Sequence, residues 1–164
     1  MAADLIAQNR AKHGSAQGVA WMRHLLDGQR RSGVRESAAV AVARRDRRIV
    51  ALTVFYRLGR TLHTRYFGSD YAVDDGDFRY FVLSYYAPLD YAATHGIDRI
   101  ELSISSLRAK SLRGAEVNPL AAVVLPVEDS VSRDAVDRHN DRFIAEHERM
   151  FGYHLGPAWG RLSH

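Results

Sequence analysis

The chain has 164 residues, 46% of them hydrophobic and 26% charged, with a formal net charge of +4. That is the composition of one soluble domain with a substantial core, and the positive balance suits an anionic partner such as nucleic acid or a phosphorylated substrate. The absence of cysteine excludes disulfides and thiolate metal sites. No stretch is apolar for long enough to span a bilayer, and no basic segment followed by an apolar run opens the chain, so a cytoplasmic protein is expected.

Residues 2–12 read as a short helix contributing Leu5 and Ile6 to the core, and Gly14 and Gly18 bracket a turn. Residues 19–31 read as an amphipathic helix with Val19, Met22, Leu25 and Leu26 on one stripe. Ser32-Gly33 ends it, after Arg30 and Arg31 in the last turn. Three strands follow, at residues 38–43, 49–56 and 61–67, joined by short turns into an antiparallel meander. In the third, Thr61, His63, Arg65 and Phe67 should share one face, against Leu62, Thr64 and Tyr66.

Gly68-Ser69-Asp70 breaks that pattern, and the acidic loop at 74–77 is placed to cap a central helix over residues 78–95. Phe78, Phe81, Val82, Tyr85, Leu89, Ala92 and Ala93 form its apolar stripe. Pro88 inside it removes the amide that would pair the Ser84 carbonyl, which predicts either a kink or a helix starting near Pro88. Gly96 is a C-terminal stop. Beyond it the sequence predicts a strand over 97–104, a short helix over 106–113, a buried strand over 121–125 and an amphipathic helix over 133–151. Val136, Phe143, Ile144, Met150 and Phe151 of that last helix should face inward.

Lysine is nearly absent. Of 23 basic residues only Lys12 and Lys110 are lysines, and enrichment in arginine is also what a GC-rich coding sequence produces. Lys110 and Arg113, three residues apart after a strand, offer an ammonium and a guanidinium as an anion cradle, where the plain alternative is a solvated helix face. His139, His147 and His154 lack the close helical pairing of metal ligands, and no metal site is expected. Ser103, Ser105 and Ser106 lack a glycine-flanked nucleophile turn, which argues against a serine hydrolase.

The order of elements is α+β. The stretch from about Arg23 to Pro119 resembles the Fem-type, peptidoglycan-biosynthesis-like acyltransferases of the Gcn5-related N-acetyltransferase superfamily. The resemblance is carried by Ala43–Leu52 with its charged turn, Leu62–Asp70 with its Arg65-Tyr66-Phe67-Gly68 segment, Tyr80–Glu101 as central helix and strand, and Lys110-Ser-Leu-Arg113-Gly114 followed by Pro119. It implies a single-domain fold over residues 1–164, with a mixed, mostly antiparallel sheet and helices on both faces. It also implies transfer of an acyl or aminoacyl group to a small-molecule amine, in cell-wall or specialised-metabolite biosynthesis. Ser103-Ile-Ser-Ser106 departs from the family pattern, which usually has a glycine and an acidic residue before the lysine.

Fem-type members take their acyl group from aminoacyl-tRNA. Members that use acyl-coenzyme A carry a glycine-rich turn before the central helix, where this chain has the acidic stretch Ser69–Asp77. The resemblance therefore favours aminoacyl-tRNA as donor, with tRNA as a partner, over acyl-coenzyme A, and implies no tightly bound cofactor and no membrane partner. Only one copy of the fold is present, which predicts a second copy of this chain or a partner protein completing the cleft. The candidate catalytic residues are Tyr86 and Tyr66, as proton donor or carbonyl polariser, and Asp70, as base or amine anchor beside the weaker Asp90. Arg65, His63, Tyr85, Ser69, Lys110 and Arg113 are the candidate substrate-binding residues. The rival reading is a binding module for RNA or protein that keeps the fold without the chemistry.

Overall fold

A computed structural model describes residues 1–15, 17–73, 78–123 and 132–159. The chain divides into two compact units, Met1–Ser103 and Ile104–His164.

The first unit is built on a four-stranded sheet in the order β1 (Ala38–Arg45), β2 (Arg48–Leu58), β3 (Thr61–Ser69), β4 (Arg99–Glu101). β1, β2 and β3 form the expected antiparallel meander, and β4 joins β3 in parallel. The two-residue turn between β1 and β2 holds Asp46 and Arg47 at positive φ, the twist a tight hairpin requires.

Alternation along β2 sorts its side chains between two helical layers. Leu52, Val54 and Tyr56 join Tyr66 in a core with Leu5, Ile6 and Met22 from α1 (Ala2–Lys12) and α2 (Val19–Arg31). Ile6 and Met22 are essentially inaccessible, each contributing roughly 1.5–3 kcal/mol by burial. α1 crosses β3 at Gly68, where an added Cβ would lie 2.6 Å from the Ile6 amide nitrogen. On the other face Thr53 is fully buried and hydrogen-bonds Ser84 of the central helix at 3.2 Å, so helices cover both faces of the sheet.

The central helix runs through α3 (Arg79–Phe81), a π turn (Val82–Tyr86) and α4 (Ala87–His95). Pro88 neither starts a separate helix nor breaks the one it is in. The preceding turn widens so that the Ala87 N–H bonds the Val82 carbonyl five residues back, and the proline falls in the first turn of α4, where a missing amide costs little. The wide turn also rotates the buried face. Leu83, Ser84, Tyr85, Pro88 and Ala92 are buried, whereas Phe78, Val82 and Leu89 of the expected stripe are exposed. Gly96 ends the helix in the left-handed conformation, and the acidic loop expected to cap its start lies outside the described residues.

Two expectations about strands are corrected. The strand expected over 97–104 is only Arg99–Glu101, because Ser103 turns to φ 64° two residues later and the extended backbone stops. Residues 121–123 of the expected buried strand are unpaired and exposed, with Val123 at 86%, and Val124 and Leu125 lie outside the described residues.

In the second unit, α5 (Leu107–Ser111) and α6 (Arg133–Phe151) are the helices. Ser132 caps α6 by accepting the Ala135 N–H at 3.2 Å. Only Phe151 of its expected inward face is buried, with Val117 and Trp159. Ile144 is half-buried, and Val136, Phe143 and Met150 are exposed.

Candidate active site

The sheet opens between β3 and β4. At its closed end, Arg60 binds Asp98 side chain to side chain, and the Arg60 carbonyl accepts the Asp98 N–H at 2.9 Å. The parallel ladder then has three rungs, Thr61–Arg99, Leu62–Ile100 and His63–Glu101. β4 stops there and β3 continues to Ser69. Among the described residues, 64–69 of β3 have no strand partner on that side, and an extended chain of substrate could use their backbone groups.

A β-bulge sits at the opening. Val54 pairs with Tyr66 and Phe55 with Thr64, so Arg65 is the extra residue. A one-residue insertion reverses the side-chain alternation beyond it. His63, opposite Tyr56, and Tyr66, opposite Val54, therefore share the face covered by α1 and α2. Phe67 and Ser69, opposite Thr53 and Ala51, share the face of the central helix. This corrects the expected face of Thr61, His63, Arg65 and Phe67. Arg65 is exposed, its guanidinium carbon 5.7 Å from the Tyr66 ring centre.

On the α1/α2 face, Tyr56 donates to the Gln29 side-chain oxygen at 2.6 Å, and the Gln29 amide donates to the Tyr66 oxygen at 3.3 Å. The Tyr66 oxygen accepts that bond, so its own proton is aimed elsewhere, as a proton donor requires. Burial pushes the Tyr56 phenol above its ordinary value of 10.0, the neighbouring Tyr66 adds to this, and the bond to Gln29 opposes it. Gln29 and Tyr56 were not singled out from the sequence. Both sit in segments whose apolar or amphipathic pattern gives no sign of a buried polar chain.

On the opposite face, Phe67, Tyr80, Phe81 and Tyr85 form an edge-to-face cluster. Phe67 and Tyr80 have ring centres 5.0 Å apart, and Tyr80 and Tyr85 5.8 Å, with hydroxyls 3.5 Å apart. Tyr85 is buried in the π turn and Tyr86 beside it is 56% exposed. Ser69 is buried at the end of β3, and Asp90 is exposed on α4.

Asp70 is a turn organiser. Its N–H bonds the Val50 carbonyl at 2.8 Å, one carboxylate oxygen accepts the Ala72 N–H at 3.1 Å, and the other pairs with Arg48 at 2.7 Å. The Val73 N–H turns back to the Asp70 carbonyl at 3.3 Å. Tyr66, Asp70 and Tyr86 are not brought together. Four residues of strand put roughly 13 Å between Tyr66 and Asp70, and Tyr86 lies on the helix packed against the other face.

Lys110 and Arg113 belong to the second unit. Lys110 is 6% exposed on α5, and burial lowers its ammonium below the ordinary 10.5. The Arg113 guanidinium bonds the Ala109 carbonyl at 2.8 Å, closing the end of α5. A 610 Å³ groove in this unit runs between Leu107, Ala109 and Leu112 on one side and His147, Met150 and Phe151 on the other, and neither Lys110 nor Arg113 lines it.

The FemAB-like family, of peptidoglycan biosynthesis and recognition, has a profile that matches residues 11–151. The chain is also similar to two solved structures. One is described as a probable acetyltransferase, 19% identical, over 77% of this chain and 90% of that one, with a TM-score of 0.54. The other is a possible acetyltransferase from Clostridium difficile 630, 10% identical, over 76% of this chain and 90% of that one, with a TM-score of 0.55. At these identities the likeness establishes the fold, that of the Gcn5-related acetyltransferases. No curated protein matches the sequence. The opened sheet, the family profile and the shared fold together identify the chain as a member of the FemAB-like family, an acyltransferase of the Gcn5-related fold.

Proposed function

We propose that this acyltransferase moves an aminoacyl group from aminoacyl-tRNA onto a primary amine during peptidoglycan synthesis. The turn after β3 carries the donor assignment. A coenzyme A pyrophosphate in that turn would need free amides and no negative charge. Here the Ala72 and Val73 amides are taken by Asp70, and the buried Asp70 carboxylate stands where the anion would go. An aminoacyl ester needs no pyrophosphate cradle. The net charge of +4 favours a polyanionic donor, and the open edge of β3 gives its acyl end a backbone to lie along.

The transfer is a direct displacement. A neutral amine attacks the ester carbonyl, Tyr66 supplies a proton from a hydroxyl oriented by Gln29, and the ribose oxygen leaves. Arg65, exposed at the bulge, is available to a tRNA phosphate. A supporting role for Lys110 and Arg113 as a phosphate cradle is tested by Lys110→Ala.

Fluorescence anisotropy with labelled tRNA, charged and uncharged, tests the reading. Binding should favour the charged form, and neutralising as few as two phosphates should weaken it roughly tenfold over a fourfold rise in salt. Salt-independent binding, or stabilisation of the protein by acetyl-coenzyme A and not by charged tRNA, would overturn the donor assignment.

A further inference from the structure

His63 and Glu101 form the last rung of the β3–β4 ladder, at the point where the strands part. Partners on neighbouring strands project to the same face, and His63 is also opposite Tyr56, so this face is the one that carries Tyr56, Gln29 and Tyr66. Both side chains are only half-buried, within reach of solvent at the mouth of the opening. One Glu101 oxygen is held by the Arg99 Nε at 2.6 Å. That ion pair fixes the carboxylate and leaves its second oxygen for another cation.

We propose that His63 and Glu101 are the subsite for the acceptor's ammonium group, with Glu101 holding it and His63 taking its proton. This rests on the transferase reading above. A primary amine reaches the enzyme protonated and cannot attack until it loses a proton. A carboxylate attracts the ammonium ion, and an imidazole, titrating near neutrality, is the side chain best matched to removing that proton at physiological pH. The groups facing His63 are Glu101 and Arg99 from β4, Tyr56 from β2, Gln29 from α2 and Arg65 next but one along β3. The two guanidinium groups disfavour imidazolium and help keep His63 neutral and basic.

The ammonium gives one proton to the imidazole, and the neutral nitrogen adds to the ester carbonyl carbon. As the C–N bond forms, the C–O bond to the tRNA ribose breaks, and a proton supplied through Tyr66 ends on the departing hydroxyl. The amine's second proton re-protonates Tyr66, and the His63 proton passes to water. Ammonium and ester become amide, alcohol and one released proton.

The site can be tested without the donor. Ethylammonium chloride is titrated into the full chain carrying nitrogen-15 histidine, and the ring resonances are followed by NMR, with sodium chloride as the control. The His63 resonances should shift saturably with ethylammonium and not with sodium. Glu101→Gln should lose at least tenfold in that affinity, with the other histidines unmoved. In the transfer reaction Glu101→Gln should raise KM for the amine with little change in kcat, and His63→Gln should lower kcat at least a hundredfold with KM for the amine retained. Resonances of His63 that ignore ethylammonium, or a Glu101→Gln chain that binds it as before, would overturn the subsite. Because the NMR experiment contains no acyl donor, a wrong donor assignment cannot produce that failure.

Discussion

Gln29 decides how the two tyrosines of the α1/α2 face can act. Its side-chain oxygen takes the Tyr56 proton and its amide fills the acceptor position of Tyr66, which leaves Tyr66 as the donor of the pair. The raised Tyr56 phenol has a measurable consequence. A group whose folded value lies above its unfolded value of 10.0 contributes its full stability below that pH and loses it as pH rises through the folded value. Ultraviolet titration of phenolate should therefore show a late-ionising tyrosine, absent from Tyr56→Phe, and the variant's stability should fall less steeply above pH 10.0. A Tyr56→Phe titration superimposable on the parent would contradict this. The residue types of the site were legible in the sequence and their surroundings were not. Asp70 was visible as an acid after a strand, but its pairing with Arg48 depends on a residue 22 positions away. Lys110 stood out by rarity, and nothing in its neighbours announced its burial.

Elements with a strong local pattern were legible nearly to the residue. α1, α2 and α6 have the bounds that periodicity and capping predict, and the three meander strands extend only slightly past theirs. What escaped were one-residue irregularities. The bulge at Arg65 and the π turn before Pro88 each shift the register of everything beyond them, and neither has a composition signature. Both flank the open end of the sheet, so the features hardest to read from sequence are the ones that shape the site. Gly68 is a third such position, legible as a break but not as the point where α1 presses on β3. A Cβ there would lie 2.6 Å from the Ile6 nitrogen and 2.7 Å from the Leu5 carbonyl carbon, backbone atoms that cannot swing aside. Gly68→Ala should cost about 1–3 kcal/mol, seen as a lower denaturant midpoint at unchanged slope. A midpoint equal to the parent's would mean that α1 does not contact β3 so closely.

At the scale of the molecule, charge, fold and family converge on acyl transfer. The +4 charge, the FemAB-like profile over residues 11–151 and the acetyltransferase fold are independent of one another. The donor is the point on which the whole account turns, because the self-bonded turn at Asp70 and the open β3 edge both argue for an ester carried on RNA. The most direct measurement is a single-turnover transfer assay. Bulk tRNA charged with radiolabelled amino acids is mixed with excess enzyme and a peptidoglycan stem peptide bearing a free primary amine, in parallel with labelled acetyl-coenzyme A. The account predicts label in the peptide as an amide from charged tRNA, dependent on Tyr66 and absent with acetyl-coenzyme A. Label delivered from acetyl-coenzyme A and not from charged tRNA would contradict it.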